Sequence, residues 1–416
     1  MNTSASNLKP ANWVAVVTVG IGAFALVTTE FLPVGLLSQI ADDLGISKGQ
    51  VGWMVTLPGV LAAFAAPLIL HFGRRLDRRD VLGWLLALLG ISNALVAVAD
   101  NVLTLLIGRV LLGIAVGGFW TVGGTLGPRL RPGQAAKATS VIFAGISLGT
   151  VAGVPAGTFA GQLLGWREVF ATASALSFIV MFLLIKTVPR IPAQPNVDLR
   201  SLKLVLDLPK AKLAIAAALL IFAGQFAAYT YITPFLLSVA LINAHALSVM
   251  LLGFGVAGFI GNMFGGWAVG KSPQSALVLA SALVGVPLLL LVVLPINTLV
   301  TIGLVMVWGL GFGLLPTAMQ GWLFTIAPDR LELMGALLVS SVQMSVGLGA
   351  LLGGLLVDHY SLQSTFVLGG ILATIATVVV AKSDTQTDSK RQPAFASFER
   401  GTRNTIQKDV AVMLRN

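Results

Sequence analysis

Residues 102–124 read VLTLLIGRVLLGIAVGGFWTVGG, an unbroken apolar run that contains one charged side chain, Arg109. At about 1.5 Å per residue, a helix of this length crosses a hydrocarbon core of about 30 Å. A charged group inside such a run is costly unless it faces protein or water, and it therefore marks a candidate functional site. This stretch predicts a membrane-spanning helix with a functional arginine.

The rest of the chain has the same character. Of its 416 residues, 56% are hydrophobic and 10% are charged, and the mean hydropathy is +0.92. Soluble domains carry roughly 25% charged residues, and strands of a membrane barrel are about 10 residues of alternating polarity. The sequence therefore predicts an all-α membrane protein. We place twelve spans at residues 13–37, 51–71, 81–99, 102–124, 138–163, 168–186, 213–237, 247–270, 275–295, 299–325, 333–357 and 364–381.

The net charge of +10 is concentrated on one side of the predicted membrane. Twelve spans place both termini on the same side, and 23 of the 26 Lys and Arg residues lie there. The opposite side carries Lys48 and Arg167. By the positive-inside rule, both termini are expected in the cytoplasm. The basic charge then reports topology, and nucleic acid is not an expected partner.

Several other chemistries are not indicated. The chain has no cysteine, so thiolate metal sites, disulfides and cysteine nucleophiles are excluded. Its three histidines, His71, His245 and His359, are far apart along the predicted fold, and we expect no metal site. The glycine-rich stretches lack the Lys-Ser or Lys-Thr pair of a phosphate-binding loop. Energy is expected from an ion gradient, without a cofactor.

The spans divide six and six around a polar, proline-containing segment, and similar residues recur about 200 positions apart, as in Pro33 and Pro234 or Gly113 and Gly309. Two such bundles around a central site, rocking against each other, are typical of secondary transporters. Each glycine alone could instead serve close helix packing. The predicted organisation is an N-terminal bundle at 1–185, a cytoplasmic linker at 186–212, a C-terminal bundle at 213–381 and a polar cytoplasmic tail at 382–416.

Three motifs lie in the first bundle. A loop after the second span could use Asp77 to accept hydrogen bonds from helix amides or arginines, although its arginines could be topology determinants only. In the fourth span, Arg109 is followed four residues later by Gly113. The fifth span carries a glycine- and proline-rich motif. The residues of the first and third motifs are Gly73, Asp77, Arg78 and Arg79, and Gly149, Gly153, Pro155 and Gly157.

These motifs resemble those of the major facilitator superfamily, in its branch of drug:proton antiporters with twelve helices. Stretches such as Thr29–Val34 and Phe222–Phe226 are also similar to bacterial purine ribonucleoside efflux pumps, with sugar efflux transporters as near relatives. The resemblance implies a monomeric, proton-coupled exporter of small organic solutes in the bacterial inner membrane, and not an enzyme. Purine ribonucleosides are the first expected substrate, and sugars or drugs are alternatives. A non-transporting membrane sensor that uses the tail is a further alternative.

Glu30 is the second charged side chain in the interior of a predicted span. It and Arg109 lie at similar predicted depths, roughly 10–12 Å from the same membrane surface at 1.5 Å per residue. A low-dielectric environment favours a protonated carboxyl, whereas a nearby guanidinium favours the carboxylate. We therefore expect Glu30 to carry the proton and Arg109 to be its electrostatic partner. A static ion pair, or a glutamate bound to backbone, is the alternative.

Polar and aromatic residues on other spans predict a cavity for a hydrogen-bonding ring compound. In the seventh span, Gln225, Tyr229 and Thr233 recur at every fourth position. Each could alternatively be a polar contact between helices. The predicted cavity residues are Trp120, Gln225, Tyr229, Tyr231, Asn262, Trp308 and Gln343.

Overall fold

The computed structural model describes residues 12–72, 76–192, 209–294, 297–326 and 331–383. Within this part of the chain the regular structure is helical, without strands, and twelve helices are long and apolar enough to cross a membrane. They are α1 (Trp13–Leu44), α2 (Lys48–Phe72), α3 (Arg78–Ala97), α4 (Val102–Gly123), α5 (Lys137–Leu164), α6 (Trp166–Thr187), α7 (Pro209–Tyr229), α8 (Ala244–Lys271), α9 (Pro273–Val293), α10 (Thr298–Ile326), α11 (Leu331–His359) and α12 (Leu362–Lys382).

The predicted fold class is confirmed, and the differences concern helix ends. Helix α1 continues to Leu44, beyond the predicted boundary at residue 37, and stops at Gly45 with a φ of 61°. Helix α7 ends at Tyr229, and a separate short helix follows at Ile232–Ser238. The break lies just before Pro234, whose ring nitrogen cannot donate a helical hydrogen bond.

Helices α1–α6 form the first half and α7–α12 the second half. Along the boundary between the halves, α2 packs against α11 and α5 packs against α8. One hydrophobic cluster includes buried residues of both halves. The linker residues 193–208 and the tail after residue 383 lie outside the described residues, so the predicted division into two bundles, linker and tail stays a prediction.

Helix α5 contains a wide π-helical turn at Gly149–Gly153. This turn packs against α1, where a Cβ on Gly153 would overlap the Thr28 Oγ1. Further along, a Cβ on Gly157 would overlap a methyl group of Leu32. The glycines of this motif therefore allow α1 and α5 to approach closely, as the packing interpretation predicts. Pro155 lies just after the π-helical segment and has no N–H to donate back into it.

Candidate functional site

Glu30 lies in the middle of α1 and is 4% exposed. Its carboxylate Oε1 accepts a hydrogen bond of 3.0 Å from Nε2 of Gln343, which belongs to α11 in the other half of the molecule. Gln343 is also buried. The interior carboxyl group is therefore bonded across the boundary between the halves.

Arg109 in α4 is fully buried, and its guanidinium donates to main-chain carbonyls. The Nε donates to the Met54 oxygen at 2.7 Å, Nη1 to the Thr29 oxygen at 3.1 Å and Nη2 to the Glu30 main-chain oxygen at 3.0 Å. Within the described ranges, no ion pair joins Arg109 to the Glu30 carboxylate. The guanidinium thus lies beside the carboxyl-bearing residue but bonds to its backbone.

Two prolines explain why Arg109 bonds to these carbonyls. A proline inside a helix has no N–H, so the carbonyl four residues earlier loses its helical partner. Pro33 in α1 releases the carbonyl of Thr29, and Pro58 in α2 releases that of Met54. The arginine therefore satisfies carbonyl groups that the prolines leave free. Sequence reasoning treated the prolines and the arginine separately and did not predict this arrangement.

A polar contact that the sequence analysis missed extends this site into α3 and α6. The buried Asn93 Nδ2 donates to the Thr29 Oγ1 at 3.1 Å and lies 3.5 Å from the Ser177 Oγ. An Asn in the middle of an apolar span is itself a signal of a contact between membrane helices. Asn93 carries no charge and lies on a span without a predicted cavity residue, so its sequence position did not single it out.

The second half has an aromatic core instead. Trp308 Nε1 donates to Gln225 Oε1 at 2.7 Å, whereas the buried Nε2 of Gln225 has no partner. Tyr229 stacks on Phe254 with ring centroids 5.3 Å apart. We call this group the aromatic cluster. Its members are Gln225, Phe226, Tyr229, Phe254, Trp308 and Phe312.

The aromatic cluster also contacts the first half. Phe31, the residue after Glu30, stacks on Phe226 with ring centroids 5.5 Å apart. It also meets Tyr229 edge to face at 6.2 Å. The candidate carboxyl group and the aromatic cluster are therefore linked through one residue of α1.

The remaining predicted cavity residues lie outside the aromatic cluster. Trp120 contacts Phe119 and Phe143 in the first half. Asn262 is exposed on α8 and accepts a hydrogen bond from Thr317 of α10. The Tyr231 hydroxyl donates to the Ala350 carbonyl of α11 at 3.0 Å. Their role as cavity residues stays a prediction.

On the side of the molecule where α1 ends and α2 begins, a contact between α2 and α11 closes the boundary between the halves. Ser47 directly precedes α2, and its Oγ donates a hydrogen bond of 2.7 Å to the carboxylate of Asp358 at the end of α11. The Gly49 N–H donates to the same carboxylate at 3.0 Å. A Cβ on Gly49 would overlap this carboxylate and lie 2.6 Å from the Gly354 carbonyl. A negative charge at a helix N-terminus is favourable, so Asp358 stabilises the closed contact.

The sequence profile described as "Major Facilitator Superfamily" matches residues 19–331 and 241–414. The chain belongs to the major facilitator superfamily. The purine ribonucleoside efflux pump NepI of Escherichia coli (strain K12) is 36% identical over 380 residues, which are 91% of this chain and 96% of that protein. The pump of the same name from Shigella sonnei (strain Ss046) is 35% identical over the same shares.

A solved superfamily fold agrees with this assignment. A bacterial homologue of the human lysosomal transporter Spinster, in an inward-facing and occupied conformation, matches with a TM-score of 0.72 over 93% of this chain and all of that chain. At 15% identity this likeness concerns the fold alone. Together with the twelve spans and the bacterial efflux pumps, the superfamily assignment makes the protein a multi-pass transporter of the bacterial inner membrane.

In this superfamily member, the loop motif before α3 makes contacts within the first half. Asp77 accepts hydrogen bonds from the Arg79 N–H at 2.9 Å and the Ile191 N–H at 3.2 Å, tying the start of α3 to the segment after α6. Arg78 is buried, and Gly73 lies outside the described residues. The pKa of nearby Arg129 is lowered, first by burial of its guanidinium and second by the positive charge of Arg78. The role of this motif in conformational change stays a prediction.

Proposed function

We propose that this protein exports purine ribonucleosides in exchange for protons, with both termini in the cytoplasm. The observation that carries the proposal is a buried carboxyl group, Glu30, bonded across the boundary between the two halves. The substrate class is taken from the relatives, which are named purine ribonucleoside efflux pumps.

Glu30 is the proposed proton carrier. A carboxyl group away from water is favoured in its neutral form, and a neighbouring positive charge opposes this preference. Arg109 supplies that charge and stays protonated itself. Small changes in water access between two conformations are then enough to load or release a proton at Glu30.

The aromatic cluster is the proposed site for the purine ring. Stacked and edge-to-face rings offer a surface for a flat heterocycle, and the partnerless Nε2 of Gln225 can donate to a ring acceptor. Aromatic and apolar side chains with a few polar groups are typical of small-molecule sites. Phe31 connects this site to Glu30, so binding and protonation are proposed to be coupled there.

The contact of Asp358 with the start of α2 is consistent with alternating access, in which one side of the transporter is closed while the other is open. With the termini in the cytoplasm, this contact lies on the outer side, and the described conformation is closed to the outside. Release of a substrate to the outside then requires α2 and α11 to separate at Ser47 and Asp358.

Uptake of radiolabelled inosine into everted membrane vesicles with an imposed pH gradient tests the proposal. We expect accumulation that an uncoupler abolishes. In Glu30→Gln, gradient-driven accumulation should be lost while inosine–inosine exchange is retained, because exchange needs no net proton transfer. Glu168→Gln makes the same change at an exposed glutamate and is the matched control.

Two outcomes would contradict the proposal. Wild-type vesicles that ignore inosine but accumulate a sugar or a drug would assign the transporter to one of those substrates. Full gradient-driven accumulation by Glu30→Gln at normal abundance would remove Glu30 as the proton carrier.

A further inference from the structure

We infer that Gln343 is a positioning residue that couples the protonation of Glu30 to the contact between the two halves. This inference rests on the proposed role of Glu30 and extends it. Gln343 was predicted to line a substrate cavity, but its side-chain amide bonds to the Glu30 carboxylate at 3.0 Å. The hydrogen bond of Gln343 therefore depends on whether the Glu30 carboxyl group is protonated.

Gln343 contacts two helices of the first half. Its side chain reaches α1, while its backbone lies against α2, where a Cβ on Gly59 would come within 2.8 Å of the Gln343 carbonyl oxygen. The same Cβ would lie 2.6 Å from the Gly347 nitrogen, so α2 and α11 are in close backbone contact there. A change in the bond to Glu30 thus acts on the boundary between the halves.

The other charged and ionisable groups near Glu30 are bonded elsewhere or lie at helix ends, so Gln343 is the partner through which its protonation acts on the boundary. Arg109 faces Glu30 from α4, but its guanidinium is occupied by main-chain carbonyls. The Tyr231 hydroxyl bonds to a carbonyl of α11, and Tyr229 packs against Phe31. Other charged groups on the described helices that pack against α1 or carry Gln343 lie at or near helix ends. These are Lys48, Arg78, Arg79, Asp80, Arg129, Lys137, Arg167, Glu168, Lys186 and Asp358.

The strength of the bond depends on the charge of Glu30. A hydrogen bond from an amide to a carboxylate is stronger than one to a neutral carboxyl group. Deprotonated Glu30 therefore holds the halves together, and a proton loosens the contact. An antiporter must hinder the conformational change of a carrier that has bound neither proton nor substrate, and this bond provides such a hindrance.

The natural lack of cysteine allows a test that needs no substrate. Thr56 is buried on α2 beside Gly347 of α11, so Thr56→Cys reports whether these helices separate. The rate of labelling by a water-soluble maleimide is measured against pH in purified full-length protein. Leu241→Cys, at a residue 74% exposed, corrects for the pH dependence of the thiol itself.

We expect the corrected labelling rate to rise about tenfold from high to low pH, the difference between hydrogen bonds to charged and neutral groups. Glu30→Gln should label fast at every pH. Gln343→Leu should do the same, because the deprotonated carboxyl has lost its partner. The exchange variant Glu30→Gln/Gln343→Glu should regain the pH dependence, which a purely structural role of Gln343 would not produce. Ser345→Ala, a buried polar change on the same helix, is the control.

The failures are distinguishable. If Glu30→Gln keeps the pH dependence of labelling, or the Thr56→Cys parent shows none, this inference is wrong. Protonation of Glu30 then does not control the contact between α2 and α11. If Glu30→Gln is flat but Gln343→Leu follows the wild type, only the inference about Gln343 is overturned. An exchange variant that stays flat also overturns it.

Discussion

The two halves of the molecule place different chemistry on a similar helical plan. In the first half, Glu30, Arg109 and Asn93 form a polar core around α1. In the second half, Tyr231 occupies the position that matches Glu30 in sequence, and the interior is filled by the aromatic cluster. Under the proposed function, this difference assigns the proton to one half and the ring of the substrate to the other.

The two halves also treat a matching proline differently. Pro33 leaves α1 continuous, and Arg109 satisfies the carbonyl that the proline releases. Near Pro234 the helix ends at Tyr229 and restarts at Ile232. The arginine therefore stabilises a helix that continues through Pro33, whereas the helix near Pro234 is interrupted.

The largest expected effect comes from removing this arginine. Arg109→Ala leaves the two proline-released buried carbonyls without a donor, each costing about 1–3 kcal/mol, and also removes the hydrogen bond to the Glu30 carbonyl. We expect a large loss of thermal stability and of transport, measured by fluorescence-detected thermal unfolding and vesicle assays. In the Arg109→Ala background, Pro33→Ala restores an N–H that can donate to the Thr29 carbonyl. This double variant should recover part of the thermal stability but should not recover transport. No recovery would contradict the role assigned to the prolines.

A smaller effect is expected in the aromatic cluster. Trp308→Phe keeps a ring but removes the donor to Gln225, and we expect a rise of about fivefold or more in the KM for inosine from the loss of about 1 kcal/mol or more. The gradient dependence of transport should persist, because Glu30 is unchanged. Trp120→Phe, outside the aromatic cluster, is the matched change in the first half. Equal effects at both tryptophans would remove the distinction between the halves.

The smallest expected effect lies at the closed side. Asp358→Asn keeps a hydrogen-bond acceptor but removes the negative charge at the start of α2, worth about 0.3–1 kcal/mol. The labelling rate of Thr56→Cys should rise about two- to fivefold at fixed pH. Asp42→Asn, at an exposed position on the same side, should leave the rate unchanged. A rate in Asp358→Asn equal to that of the parent would show that the contact contributes no bias.

Sequence reasoning identified the two interior charges but not their partners. Glu30 and Arg109 stand out because apolar spans contain few ions. A direct pair between carboxylate and guanidinium was one expectation, and the structure instead bonds Arg109 to carbonyls. Such a partner depends on which helix packs beside the carbonyls that the prolines leave free, and that follows from packing in three dimensions.

The cavity residues show the same limit. Gln225, Tyr229 and Trp308 do come together, since residues on neighbouring spans at similar depth tend to meet. Gln343 bonds to Glu30 in the other half instead. The sequence around Gln343 could not show whether the side chain faces a substrate or Glu30. A polar residue in the middle of a membrane span is compatible with either partner.

The sequence by itself determined the membrane location, the helical class and the twelve spans. Hydrocarbon admits only chains whose backbone groups bond internally, so long apolar runs leave little choice of fold. Only the tertiary structure decided that Arg109 serves proline-released carbonyls, that Gln343 reaches Glu30 across the halves and that Asp358 caps α2. These contacts join residues up to about 300 positions apart, and their geometry is set by how the two halves dock.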